Sequence, residues 1–266
     1  MTQPKVMGIV NVTPDSFSDG GQFDSEASAC SQAEALVVSG ADIIDIGGES
    51  TRPFADPVSE KDELQRVIPA IQAIRNTFSI PISIDTTKAE VARQALAAGA
   101  NIINDISALQ KDPAMIDLVK ETSVPVIIMH MQGTPGDMQR KPQYKDVVQD
   151  IIVFFKERLQ WLEKQGVDLE RITLDPGIGF GKTLAHNLSI LKNLDKLTTL
   201  GRPILLGHSR KRFIEEITGL PVEERDLPTA VISALAAQSG IDIIRVHDVA
   251  STRTALQVAE AIDLAD

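Results

Sequence analysis

The sequence predicts a single (β/α)8 TIM barrel on three observations: eight short apolar runs, amphipathic stretches between them, and glycines where those stretches end. The runs are residues 6–12, 43–46, 80–84, 102–106, 124–129, 172–174, 203–206 and 241–246. Their apolar, β-branched residues fall on consecutive positions, as in a parallel strand covered on both faces. A strand with one wet face would alternate instead.

Between the runs, Leu64, Val67, Ile68, Ile71 and Ile74 recur at helical spacing, as do Val147, Val148, Ile151, Ile152, Phe155 and Leu159, giving each stretch one apolar stripe. Thr87 with Glu90 three residues later reads as a capping box. Gly40, Gly99, Gly166, Gly201 and Gly240 stand where helices would stop before the next strand. Pro69 falls within a helical stripe and should kink it. An open, doubly wound sheet would show a similar pattern, but eight units with right-handed crossovers most naturally close into a barrel. No linker, low-complexity tract or composition break interrupts residues 1–266, so one domain is expected.

Composition narrows the function. With 266 residues and 43% hydrophobic content the chain can bury a large core, and no apolar run approaches the roughly 20 residues of a membrane span. The formal charge of −11 disfavours nucleic acid, whose binding needs a basic surface that displaces counterions. A small anion remains possible if cations cluster locally. The lone cysteine, Cys30, permits no intramolecular disulfide and no cysteine zinc cluster, and it should pack as a small apolar side chain. No charged-then-apolar leader opens the sequence, so a soluble, unprocessed, cytoplasmic protein is expected.

In a barrel of this kind the chemistry lies in the loops after the strands' C-terminal ends. Polar residues appear just there: Asn11, Asp45, Asp85, Asn104, His130, Asp175, Ser209 with Lys211, and Arg245 with His247. Any one of them could simply cap a helix or begin a turn. Together they should converge on one mouth. Asp85, Asn104, Asp175 and Lys211 form a mixed donor and acceptor lining suited to a flat heterocycle, and a guanidine-like edge would pair with a carboxylate. The competing reading is a set of buried structural salt bridges. Arg52, Arg245 and His247 add cationic capacity, and Asn11 a neutral oxygen, a combination that fits a diphosphate with Mg²⁺. The run DPGIGFGK at 175–182 reads equally as a phosphate-cradling loop or as a tight turn beside a crowded backbone, since it lacks P-loop spacing. Loops 13–23 and 49–59, rich in Gly, Pro and Ser, are expected to be long and mobile and to close over substrates.

The motifs NVTPDSFSDG at 11–20, DIGGESTRP at 45–53, SIDT at 83–86, NDI at 104–106, MHMQGTP at 129–135, DPGIGFGK at 175–182, SRK at 209–211 and RVHD at 245–248 follow one another as in bacterial dihydropteroate synthases. The chain resembles that family from about residue 6 to 262. The resemblance implies a transferase that joins 6-hydroxymethyl-7,8-dihydropterin diphosphate to 4-aminobenzoate through a pterin methylene cation. It also implies that Asp85, Asn104, Ile106, Met129, Asp175, Phe180, Gly207 and Lys211 hold the pterin. Asn11, Thr51, Arg52, Arg245 and His247 would hold the diphosphate, with Mg²⁺ on Asn11. Thr51, Arg52, Pro53, Phe180, Ser209 and Lys211 would lie near 4-aminobenzoate. Asp85 and Lys211 would be catalytic, with Asp15 and Ser16 shielding the cation. Sulfonamides as competitive inhibitors and a homodimer built on outer helices are further implications. His208 and Arg212 depart from the family pattern and would either alter the arylamine rim or point to solvent. A methyltetrahydrofolate-binding methyltransferase with a corrinoid partner would share the barrel and the Asp/Asn pocket but have no use for Asn11, Arg245 and His247 as a diphosphate cluster. A non-catalytic pterin-binding protein is the second alternative.

Overall fold

The computed structural model describes residues 3–12, 22–50, 56–134, 136, 138 and 141–265, with the backbone alone for 22–26. Its strands are β1 Lys5–Asn11, β2 Ile43–Gly47, β3 Ile82–Asp85, β4 Ile102–Asp105, β5 Val126–Met129, β6 Ile172–Asp175, β7 Leu205–Leu206 and β8 Ile243–Val246. Each expected run contains one of them or coincides with it within two residues. The helices are α1 Gln22–Val38, α2 Glu60–Thr77, α3 Ala89–Ala98, α4 Ala114–Glu121, α5 Val147–Lys164, α6 Leu184–Lys192, α7 Leu194–Thr198, α8 Arg212–Thr218, α9 Asp226–Ala237 and α10 Val249–Asp263.

The strands pair in parallel in the order β6-β5-β4-β3-β2-β1-β8-β7. A parallel bridge between Leu174 and Ile204, with the Leu174 N–H donating to the Pro203 carbonyl at 2.9 Å, joins β6 to the segment entering β7. That bridge closes the ring and excludes the open, doubly wound sheet.

Strand side chains alternate between outside and inside. Val6, Val10, Ile44, Ile46, Ile84, Ile103, Ile128, Leu174, Leu206 and Ile244 face outward and are buried against Val67, Ile71, Val91, Met115, Ile151 and Phe155 of the helices. Such side chains contribute roughly 1.5–3 kcal/mol each on burial. Met7, Ile43, Ile102, Ile127 and Leu205, with Ile243 against them, form a separate cluster inside the barrel. This plug fills the N-terminal half of the lumen and leaves the C-terminal half for other side chains.

Several local expectations meet the structure directly. Gly40, Gly99, Gly166, Gly201 and Gly240 all have positive φ, the left-handed turn that ends a helix without a Cβ clash. Helix α2 runs on as one helix through Pro69. The capping box of Thr87 and Glu90 does not form. Lys88 occupies the N-cap of α3 without a side-chain bond, which puts Glu90 one position too early. The Ala89 N–H donates instead to Asp112 Oδ2 at 2.7 Å, so the cap comes from the next β/α unit. Cys30 is only half-buried, its sulfur 3.8 Å from Thr77 Oγ1 where α1 meets α2, rather than packed as a core apolar group. No helix among the described residues is long and apolar enough to cross a membrane.

Candidate active site

Two residues beyond the plug, β2, β4 and β8 turn polar, whereas β1 and β5 carry Ile9 and Met129 at that level. Asp45 follows Ile43, Asn104 follows Ile102, Met129 follows Ile127, Gly207 follows Leu205 and Arg245 follows Ile243, all on the inward face. Asp85 is the lateral partner of Asn104, and Asp175 of Met129, in the strand register. The same alternation that buries the plug therefore assembles the polar layer above it.

Arg245 ties one half of this layer together. Its Nε donates to Asp45 Oδ2 at 2.6 Å and its Nη2 to Asp85 Oδ2 at 2.8 Å. Asn104 Nδ2 donates to Asp45 Oδ2 at 3.3 Å. Asp45, which is fully buried, is the hub, and sequence reasoning placed it only among polar residues ending a strand. The available signal was a lone carboxylate inside the apolar run 43–46, at an inward position. The salt-bridge reading holds for Asp45 and Asp85, which pair with Arg245 at the mouth itself.

The other half centres on Asp175, whose Oδ1 accepts the Gly177 N–H at 2.7 Å. Lys211 Nζ donates to the Ile178 carbonyl and lies 4.4 Å from the centre of the Phe180 ring. Arg210 adopts a left-handed turn, φ 55°, and is gripped by both oxygens of Asp226 at 2.6 Å, which fixes the chain just before Lys211. Gly207 lies beside Asp175 and Arg245, where a Cβ would touch Asp175 Oδ2 at 3.4 Å, an ordinary contact. Ile106, Met129, Met138 and Phe180 pack together as an apolar wall. A wall of that kind facing carboxylates, an amide and an ammonium suits a planar, hydrogen-bonding ring.

Burial sets the protonation of these groups. It pushes the Asp85 carboxyl up to about 7, opposed by Arg245 and assisted by Asp45 and Glu63. Asp175 is also raised by burial, against the pull of Lys211 and the Gly177 N–H. Lys211 is brought down to about 8 by burial, with Asp175 working the other way. Burial opposes the charge on Arg245, but Asp45 and Asp85 outweigh it and hold the guanidinium protonated.

Ser209 and His247 meet at the rim, with Ser209 Oγ 2.9 Å from His247 Nδ1 and accepting the His247 N–H at 3.1 Å. Asn11 is half-buried at the C-terminal end of β1. His130 does not join the mouth. It points outward from β5 into a buried contact with Lys182, whose Nζ lies 3.0 Å from His130 Nδ1. The glycine run answers to its tight-turn reading, because a Cβ at Gly177 would sit 2.0 Å from the His130 carbonyl oxygen and one at Gly181 2.4 Å from that of Gln132. Lys182, 3% exposed, bonds inward to the Phe180 and His130 carbonyls. His208, contrary to both expectations, is fully buried against Thr229 and Ser233 of α9, whereas Arg212 does face solvent, beside Glu216. Near β3, Lys88 bridges Glu49 and the fully buried Glu63, a group the sequence did not single out. Asp15, Ser16, Thr51, Arg52 and Pro53 lie outside the described residues.

A model of the pterin-binding enzyme family matches residues 7–247, from β1 to the residue after β8. Dihydropteroate synthase of Haemophilus influenzae is 47% identical over 261 residues, spanning 98% of this chain and 94% of that protein. The chain belongs to the dihydropteroate synthase family. Among solved members, the Yersinia pestis dihydropteroate synthase in complex with a sulfonamide drug superposes with a TM-score of 0.93 at 43% identity, covering 99% of this chain and 95% of that one. The Xanthomonas albilineans dihydropteroate synthase in complex with 7,8-dihydropteroate gives 0.90 at 44% identity, covering 99% and 95%. The protein is thus a transferase of this family, built on its barrel.

Replacing Asp45 by Ala should leave Arg245 with Asp85 as its only carboxylate partner and take the acceptor from Asn104 Nδ2, costing about 1–3 kcal/mol of stability. Urea unfolding of the parent and variant measures it, and a difference within experimental scatter would remove Asp45 from its place as hub.

Proposed function

We propose that the chain condenses 6-hydroxymethyl-7,8-dihydropterin diphosphate with 4-aminobenzoate to give 7,8-dihydropteroate and diphosphate. The observation that carries this reading is the convergence of Asp45, Asp85, Asn104, Asp175, Lys211 and Arg245 beside an apolar wall at the C-terminal mouth. Asp175, with Asn104 and Lys211, would take the pterin's amino and ring-nitrogen edge. The bond that breaks joins the pterin methylene carbon to a diphosphate oxygen, and its electron pair leaves with the diphosphate. The arylamine nitrogen lone pair then forms the carbon–nitrogen bond, and the displaced proton passes to solvent. Asp85, ionised, favours the intervening cation by opposite charge in a buried place where screening is weak.

Asn11 and His247 at the rim, with Arg245 behind them, would face the diphosphate. The neutral oxygen of Asn11 suits Mg²⁺, which takes one or two protein oxygens and completes its shell from phosphate and water. Bound there, the ion would neutralise charge on the departing diphosphate. Thr51, Arg52, Pro53, Phe180, Ser209 and Lys211 would receive 4-aminobenzoate, with Asp15 and Ser16 over the cation, and a sulfonamide bearing a para-amino group would compete for that position. The single cysteine suits a reducing cytoplasm.

Homodimerisation is supported by an apolar strip on two neighbouring helices. Leu227, Val231 and Leu235 recur every four residues on α9 with 73%, 51% and 65% of their surface exposed, next to Val258 and Ile262 on α10.

Purified protein given both substrates and Mg²⁺ should release diphosphate, and Asp85→Ala should lower kcat by at least about 100-fold while keeping its circular dichroism. No release by the parent would leave a pterin-binding protein without catalysis, whereas methyl transfer to a corrinoid would support the methyltransferase alternative. Ionised Asp85 is lost as pH falls through about 7, and protonated Lys211 as pH rises through about 8, so kcat/KM should be bell-shaped. Lys211→Arg should move the alkaline limb upward; a profile flat across both values would contradict these assignments. In light scattering the parent should run at twice the mass of Val231→Glu, and a monomeric parent would rule the strip out as a dimer contact.

A further inference from the structure

We infer that Asp105 and Arg158, which no substrate would touch, are positioning residues for the pterin pocket: they clamp the turn after β4 so that Asn104 and Ile106 stand at the ring. This rests on the pterin reading above. Asp105 lies between those two residues on the opposite face of the strand and is fully buried. Its Oδ1 accepts the Ser107 N–H at 2.7 Å and its Oδ2 the Leu109 N–H at 3.2 Å. Ser107 Oγ then accepts the N–H groups of Gln110 and Lys111, each at 3.2 Å.

Arg158 closes the clamp from α5. Its Nε donates to the Ala108 carbonyl at 2.7 Å and its Nη2 to that of Leu109 at 2.8 Å, while its guanidinium lies 4.0 Å from the centre of the Trp161 ring. Ala108 and Leu109 both have left-handed φ, 55° and 60°, and both are buried. Two successive residues with side chains avoid that conformation unless their surroundings impose it. Here Asp105 takes both N–H groups, that of Ala108 on its backbone carbonyl at 3.1 Å and that of Leu109 on its carboxylate, while one guanidinium holds both carbonyls. The turn they impose starts at Ile106, which packs with Met129, Met138 and Phe180 in the wall of the pocket. A turn relaxed to ordinary φ would carry Ile106 out of that wall and disturb Asn104 beside it.

The test compares the KM of each substrate, kcat and Tm for the parent, Arg158→Met and Arg158→Lys. Arg158→Met should raise the KM for dihydropterin diphosphate about tenfold, as expected for a misplaced binding group, and leave that for 4-aminobenzoate within about twofold. Arg158→Lys should recover part of the loss, since an ammonium can still serve one of the two carbonyls. Adding Ala108→Gly to Arg158→Met should also lower the pterin KM, because glycine holds the turn without help. Should Arg158→Met yield no folded protein, the Arg158→Lys shift in pterin KM decides alone. An unchanged pterin KM, or both KM values rising together, would overturn the inference. A parent that releases no diphosphate would instead overturn the underlying reading, so the two failures are distinguishable.

Discussion

A strand built into a closed barrel sends alternate side chains to the lumen, and the lumen has room for only a few layers. Everything particular to this protein depends on that constraint. Met7, Ile43, Ile102, Ile127, Leu205 and Ile243 use the lower inward positions and seal the N-terminal end. The next inward positions hold Asp45, Asn104 and Arg245, beside Asp85 and Asp175. One rule of strand geometry thus makes both the plug and the site, and the step between them is two residues along β2, β4 and β8.

Placing so much charge in a lumen is unfavourable unless the charges answer one another. Arg245 does this for Asp45 and Asp85, and Lys211 for Asp175. The compensation is incomplete, because Asp85 and Lys211 both remain displaced toward neutrality by burial. A neutral ring with a guanidine-like, hydrogen-bonding edge, bound between them and gaining positive charge as the carbon–oxygen bond breaks, would answer the surplus carboxylate that Arg245 leaves. That is the physical sense in which the site suits its proposed ligand.

Support for these side chains comes from behind the barrel wall. Asp226 holds Arg210 ahead of Lys211, Lys182 fastens the glycine turn to His130, and Asp248 caps α10 by accepting the Ser251 N–H at 3.1 Å. The family motifs therefore contain two kinds of residue. In RVHD, Arg245 and His247 face the mouth while Asp248 starts a helix. In NDI, Asn104 and Ile106 face the pocket and Asp105 fixes the turn that carries them.

The eight strands and the polar residues at their ends were legible in the sequence because burial on both faces demands consecutive apolar residues and because parallel strands expose their chemistry at one end. Motif order made the family legible too. Sequence does not separate inward from outward at a strand end, so nothing local distinguishes His130, which faces α5, from the residues at the mouth, or marks Asp45 as the hub. Nor could it show that α3 is capped by Asp112 rather than by Thr87, or that Lys88 joins Glu49 to Glu63. Those facts depend on partners tens to hundreds of residues apart, as Arg245 is from Asp45. Local pattern determined which segments become strands and helices; only barrel closure, through register and shear, decided which distant charges would meet.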